Sequence, residues 1–282
     1  MTLPKELADL QIKVQAVAEG YGLKTFPVVF EMVDYAQMNQ LAAYTGFPVR
    51  YPHWRWGMEY EQLDKSYEYG LHKIYEMVIN NDPTYAYLLE GNSNLDHKLV
   101  MAHVYGHADF FRNNVYFAHT DRKMVDAMAN HATRVRRYHD RYGAERVESF
   151  FDDCLAIENL IDPEAAFRAT YDSLPRADQD HERESEPTSA PRLPAKAYMD
   201  RYINPPEMLE AHEKQQEERR KARKRFPSSP MRDLLGFLLM HAPIEAWERD
   251  VLGIVRKESY YFLPQRQTKI MNEGWASYWH TT

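Results

Sequence analysis

The chain is poor in cysteine and lacks any long apolar run. Cys154 is the only cysteine among the 282 residues, which excludes an intrachain disulfide and fits a reducing cytoplasm. The N-terminal residues lack the apolar core of a signal peptide. No stretch approaches the roughly 18 apolar residues of a membrane span. These absences predict a soluble protein of the cytoplasm with no membrane span.

Excess positive charge and nucleotide-binding motifs are also missing. The formal net charge is −7, which argues against protein-wide attraction to nucleic acid. The sequence has no phosphate-binding glycine loop, no dinucleotide fingerprint and no Gly-x-Ser-x-Gly elbow. Cys154 lies in an apolar stretch and is predicted to be a buried structural thiol. Nucleic-acid binding and ATP or NAD chemistry therefore have no support in the sequence.

The residues that are present predict an α+β fold that is mainly α-helical. Apolar, β-branched runs at 26–33 and 84–90 predict strands, and the second strand precedes the helix that carries a His-x-x-x-His pair. The aromatic segment 47–62 predicts an irregular stretch over a pocket. Helical spacing predicts helices at 4–20, 35–44, 63–80, 95–111, 122–142, 145–160, 231–241, 244–256 and from about Lys269 onward.

Composition divides the chain into three parts. Residues 1–173 are predicted to form a core of helices and strands. Residues 174–230 hold eight of the 16 prolines and dense charge, which predicts a partly disordered insertion with a solvated helix at 207–225. Residues 231–282 are predicted to be helical and to complete the core.

The most function-like feature is the pair His103 and His107. Four residues on a helix place both imidazoles on one face, one turn apart, where both can reach one metal ion. The alternative is a pair of core histidines that bond to tyrosine hydroxyls or carboxylates. The zincin motif has a Glu general base directly after its first His, whereas this chain has Val104 there.

A third ligand is needed, and Glu273 is the best candidate. It lies in a segment that resembles the Asn-Glu helix of gluzincins, and His280 follows about two turns later as a possible fourth ligand or acid/base. The alternative for Glu273 is a helix-terminal acid favoured by the macrodipole. Glu148 and Asp152 are second-choice ligands, with ion pairs to arginines of the preceding helix as the favoured alternative.

Several long strings resemble the SpoVR (stage V sporulation protein R) family. They are residues 47–80, 98–114, 128–138 and 268–280. The likeness extends over residues 1–282, and the family is longer, so the chain is expected to be truncated relative to it. The resemblance implies a cytoplasmic bacterial protein tied to sporulation and the spore cortex, a modified peptidoglycan. In bacteria that do not sporulate it implies a stress response together with a serine protein kinase and a companion regulatory protein.

Two functions follow as expectations. The first is a metal-dependent, zincin-like hydrolase of amide or peptide bonds in a cell-wall precursor or regulatory peptide. Zn²⁺ would be held by His103, His107 and Glu273. His280, Asp109 or Tyr105 would move the proton, and aromatic side chains at 51–60 would line the cleft. The second is a non-catalytic regulatory or scaffold protein that binds the kinase through aromatic surfaces and the basic run 219–225.

Overall fold

The computed structural model describes residues 3–69, 73–167, 193–196, 198–211, 214–215 and 232–282. The strands are β1 (Val28–Val33), β2 (Glu76–Ile79) and β3 (Thr84–Leu89). The helices are α1 (Lys5–Gly20), α2 (Tyr35–Ala43), α3 (Trp54–Glu68), α4 (Asn94–Asn113), α5 (Met124–Tyr142), α6 (Ala144–Ala156), α7 (Leu234–His241) and α8 (Ala246–Thr281). The predicted class, α+β and mainly helical, is confirmed.

The small sheet positions α4. Its strand order is β1-β3-β2, with β1 parallel and β2 antiparallel to the central β3. A turn after β3 leads directly into α4, which begins in a capping box between Ser93 and Asp96. Met101 and Val104 of α4 are fully buried in the same apolar cluster as Leu88 of the sheet. The sheet thus fixes one face of α4 and leaves another face for α8.

Helix α8 is longer than the sequence indicates. Separate helices at 244–256 and from Lys269 were predicted, but one helix runs continuously through Pro264. A proline inside a helix removes one hydrogen bond. The buried side chains of Val251 and Tyr261 lie in two different apolar clusters, each of which also contains residues of α5, and this packing outweighs the loss at Pro264.

The aromatic segment and the helix after it were partly mispredicted. Residues 47–53 lack regular structure as expected, but α3 already begins at Trp54, where the ring Nδ1 of His53 accepts from the backbone N–H of Arg55 at 3.2 Å. The predicted helix over 63–80 ends at Glu68, and its last residues form β2 instead. Pairing of β2 with β3 supplies the ladder hydrogen bonds that override the helical spacing.

Little of the predicted insertion is described. Asp200–Ile203 forms one helical turn, and residues 206–211 are helical, in line with the start of the predicted solvated helix. The basic run 219–225 lies outside the described residues. In the part of the chain that the structure describes, no helix is long and apolar enough to cross a bilayer.

Candidate metal centre

A close crossing of α4 and α8 creates the site. A Cβ on Gly106 would lie 2.7 Å from the Cα of Ala276, nearer than real Cβ contacts allow. Ala276 is itself fully buried. Only a glycine at this point lets the two backbones approach so closely. The crossing brings the face of α4 that carries His103 and His107 against the last three turns of α8.

Three of the predicted ligands meet at this crossing. Glu273 Oε2 lies 3.4 Å from His103 Nε2 and 3.8 Å from His107 Nε2. The three ligand atoms all lie within 4.8 Å of one another. In a tetrahedral zinc site with bonds of about 2.0–2.2 Å, neighbouring ligand atoms are about 3.3–3.6 Å apart. The three side chains therefore have nearly the spacing of a metal site.

Hydrogen bonds on the far side of each ring orient the imidazoles. His107 Nδ1 lies 2.9 Å from Asn272 Oδ1, and a carbonyl oxygen only accepts, so Nδ1 carries the proton. His103 Nδ1 lies 2.9 Å from His280 Nδ1. When His103 donates in that pair, its Nε2 also presents a lone pair to Glu273. Outer hydrogen bonds of this kind are the usual support of metal-bound histidines.

The electrostatics of the cluster suit a cation. Burial, together with repulsion from His107, lowers the pKa of His103 to about 4. Burial also lowers the pKa of His107. Both rings are therefore neutral near pH 7, and His107, whose Nδ1 proton is used at Asn272, turns its Nε2 lone pair toward a carboxylate oxygen. Such facing acceptors repel one another, and a metal ion bound between them removes the repulsion. The donor set thus fits the predicted Zn²⁺.

Glu76 is a further acidic residue of the cluster, which sequence reasoning missed. It lies on the edge strand β2, with its Oε1 3.9 Å from His103 Nε2. Burial, and then repulsion from Glu273, raises the pKa of Glu76 to about 7. It was missed because residues 63–80 were predicted to form a helix, whereas Glu76 lies on β2. A lone acid at the start of the short apolar run Met77–Ile79 was the available signal.

Tyr105 and Asp109 are not brought to the cluster. The Tyr105 hydroxyl donates to Gln15 Oε1 of α1 at 3.3 Å, on the side of α4 away from Glu273. Asp109 accepts from the backbone N–H of Lys24 at 2.7 Å and from Trp275 Nε1 at 3.1 Å. Asp109 therefore ties α8 and the end of α1 to α4. Of the three predicted proton-moving groups, the structure places only His280 beside the ligands.

The second-choice ligands lie elsewhere. Asp152 Oδ1 is 3.4 Å from His53 Nε2 and 3.1 Å from Trp54 Nε1, so it joins the start of α3 rather than the histidine pair or an arginine of α5. Tyr51 and Trp56 are buried in an apolar cluster, and the cavity beside the histidine pair is lined by no residue of 51–60, contrary to the expectation that aromatic residues of this segment line the cleft. Cys154 is buried as predicted, and burial raises the pKa of its thiol to about 12.

A cavity of about 340 Å³ opens beside the cluster. His107, Asn272, Glu273 and Glu76 line one end. The remaining lining residues are of two kinds. Apolar side chains come from β2, α4 and α8, and one polar and two cationic side chains come from α8. They are Met77, Val78, Phe111, Phe262, Gln265, Arg266 and Lys269. The candidate ligands are thus reachable from a concave surface, as a binding or catalytic site requires.

The family model described as SpoVR like protein matches residues 2–282. The chain belongs to the SpoVR family. It is 34% identical over 284 residues to the "Uncharacterized protein YcgB" of Escherichia coli strain K12, in an alignment that covers 98% of this chain and 53% of that protein. The chain thus spans about half the length of this curated relative. No solved structure matches it.

Proposed function

We propose that this SpoVR-family chain is a metal-dependent hydrolase of amide or peptide bonds. One observation carries the proposal. The ligand atoms of His103, His107 and Glu273 converge within 4.8 Å, and a hydrogen bond at the Nδ1 of each ring holds its Nε2 near the glutamate. Two histidines and one glutamate are the ligand set of thermolysin-type catalytic zinc, which keeps further positions open for water and substrate.

The chemistry needs a general base. Zincins have a glutamate for this at the position of Val104, and we assign the role to Glu76 instead. Val104 is fully buried against the sheet. A bound Zn²⁺ would polarise the substrate carbonyl and acidify a water. Glu76, on the other side of His103 from His280, would accept the proton of that water as the water oxygen bonds to the carbonyl carbon. Glu76 would then give the same proton to the leaving nitrogen as the C–N bond breaks.

His280 and Asn272 are assigned positioning roles. Each bonds the Nδ1 of one candidate ligand histidine at 2.9 Å, which fixes the plane of the ring, and Asn272 also fixes the tautomer of His107. The family name suggests a biological setting in sporulation, and an amide of the spore-cortex peptidoglycan is the substrate that we propose there. The alternative, a regulatory or scaffold protein, depends on aromatic surfaces and on the basic run 219–225, and that run lies outside the described residues.

Metal content tests the proposal. Untagged wild-type protein, equilibrated with Zn²⁺ and desalted, is measured by mass spectrometry beside His103→Ala/His107→Ala. The matched control is His119→Ala/His241→Ala, which removes two exposed histidines. We expect about one equivalent of zinc in wild type and control, and none in the site variant, with circular dichroism unchanged.

Two results would overturn the metal site. One is wild-type protein without stoichiometric zinc, and the other is a site variant that retains it. Metal-dependent cleavage of a peptide library would then test hydrolysis, with Glu76→Gln expected to keep the metal and lose turnover. A Glu76→Gln protein that cleaves at the wild-type rate would remove Glu76 as the base.

A further inference from the structure

The cavity beside the metal-site residues has a cationic end. Phe262, Arg266, Lys269 and Glu273 follow one another on α8 at intervals of four, three and four residues, so they share one face of the helix. All four line the cavity. A ligand lying along this face would reach from Glu273 to Arg266.

The two cations lack acidic partners. The guanidinium of Arg266 donates to the amide oxygen of Asn159, which is neutral. Within the described ranges, no carboxylate forms an ion pair with Arg266 or Lys269. This is notable in a chain whose formal net charge is −7. Two adjacent positive charges that line a cavity and form no ion pair attract an anion.

Helix geometry sets the distance between that anion and the bond to be cleaved. At 1.5 Å per residue, Lys269 lies about 6 Å and Arg266 about 10 Å along α8 from Glu273. An extended peptide advances about 3.3 Å per residue, so this interval spans two or three residues. Val78, Phe111 and Phe262 form the apolar wall that lines this cavity.

We propose that Arg266 and Lys269 bind a carboxylate of the substrate, two or three residues from the scissile amide. This inference rests on the proposed hydrolase and specifies its substrate class. The class is a peptide or amide with a free carboxylate, and with an apolar group between that carboxylate and the reacting carbonyl. A reaction product that keeps this carboxylate would bind to Arg266 and Lys269 in the same way.

A series of straight-chain dicarboxylic acids, from succinate to suberate, measures the distance between the proposed metal and the two cations. One carboxylate can bind the metal while the other reaches the cations. Affinities are measured by calorimetry on zinc-loaded wild type, Arg266→Gln/Lys269→Gln and a control of equal charge change, Lys13→Gln/Lys98→Gln. We expect the longer acids to bind best to wild type and control. In the cavity variant we expect a loss of about tenfold or more, with the length preference gone. Equal binding at all lengths, or an unchanged cavity variant, would overturn the proposal.

A second comparison separates this inference from the metal site. Hexanoate and hexanamide are titrated into metal-free protein. Preference for the acid, lost in Arg266→Gln/Lys269→Gln, supports the anion site even if the protein binds no zinc. A protein that binds zinc but shows no preference for the acid keeps the proposed hydrolase and loses the anion site.

Discussion

Helix α8 pairs a glutamate with histidine in two places, and the two clusters differ in their exposure and in their hydrogen bonds. At one, Glu258 accepts from His131 Nδ1 at 3.0 Å and pairs with Arg50 at 2.9 Å, and the three side chains are 3–7% exposed. At the other, the side chain of Glu273 is 55% exposed and faces two histidine nitrogens at 3.4 and 3.8 Å.

The comparison shows what separates a structural cluster from a site. Around Glu258 both carboxylate oxygens have a donor, because Arg50 and His131 each supply an N–H group. Around Glu273, His107 uses its proton on the far side, at Asn272, and His103 is bonded on the far side by His280, while the two Nε2 atoms face the carboxylate. The first arrangement is complete by itself, whereas the second is the one for which we propose a bound cation. Residue types alone do not distinguish the two clusters.

The largest expected effect is on the unfolding free energy when the cluster around Glu258 is changed. Glu258→Gln leaves the buried charge of Arg50 without its partner, and breaking a buried pair in this way costs about 3–5 kcal/mol. The same substitution at Glu273 on the same helix should change the unfolding free energy of metal-free protein by less than about 0.5 kcal/mol. Urea unfolding of both variants measures the contrast. Equal losses at the two positions would contradict the distinction drawn between them.

The next prediction changes the helix crossing beside the cluster around Glu273 and leaves the candidate ligands themselves unchanged. Gly106→Ala places a methyl group against the backbone of Ala276, so α4 and α8 must separate, at a cost of about 1–3 kcal/mol. Zinc affinity should fall as well, because the two ligand histidines flank Gly106.

Gly253→Ala on α8 is the control, since nothing lies within 4 Å of a Cβ there. It should stabilise the protein by about 0.5–1 kcal/mol and leave zinc affinity unchanged. Thermal unfolding and zinc titration check both variants. A Gly106→Ala protein with wild-type zinc affinity would show that the close crossing does not set the ligand geometry.

A smaller effect is expected from the outer hydrogen bond. Asn272→Leu removes the acceptor that orients His107, and loss of such a bond usually lowers metal affinity about 10–100-fold. Competition with a zinc chelator measures the change. Asn272→Asp keeps an acceptor and should recover most of the affinity. If Asn272→Leu and Asn272→Asp lose affinity equally, the amide acts through packing and not through the tautomer of His107.

The sequence predicted the parts of the site that depend on helical spacing. His103 and His107 follow from a four-residue interval, and Glu273 and His280 from two turns of one helix. Glu76 could not be found in this way, because its place depends on β2 pairing with β3 instead of extending α3. The continuous α8 depends likewise on apolar packing along its length, which outweighs a proline. Gly106 carries a readable signal, since a glycine between two candidate ligands implies close approach of another backbone.

The smallest effect concerns a third polar cluster, at the junction of α7 and α8, in which the carboxylate also has hydrogen-bond donors but lies nearer the solvent than Glu258. Asp233 caps α7 and pairs with Arg256, whose side chain is 37% exposed. Burial by itself would raise the pKa of Asp233. Hydrogen bonds from Arg256, Gly236 and Tyr260 outweigh burial and hold that pKa below its usual value of 3.8.

The folded form therefore binds this proton less readily than the unfolded form. The stabilising contribution of Asp233 is complete above pH 3.8 and is lost as the pH falls through the lower folded pKa. Asp233→Asn keeps the cap but not the charge, so it should cost about 1 kcal/mol at pH 7. The gap from wild type should shrink as the pH falls below 3.8. Urea midpoints from pH 7 to pH 2.5 measure that gap. A constant gap would mean that packing of the side chain, and not its charge, stabilises the junction of α7 and α8.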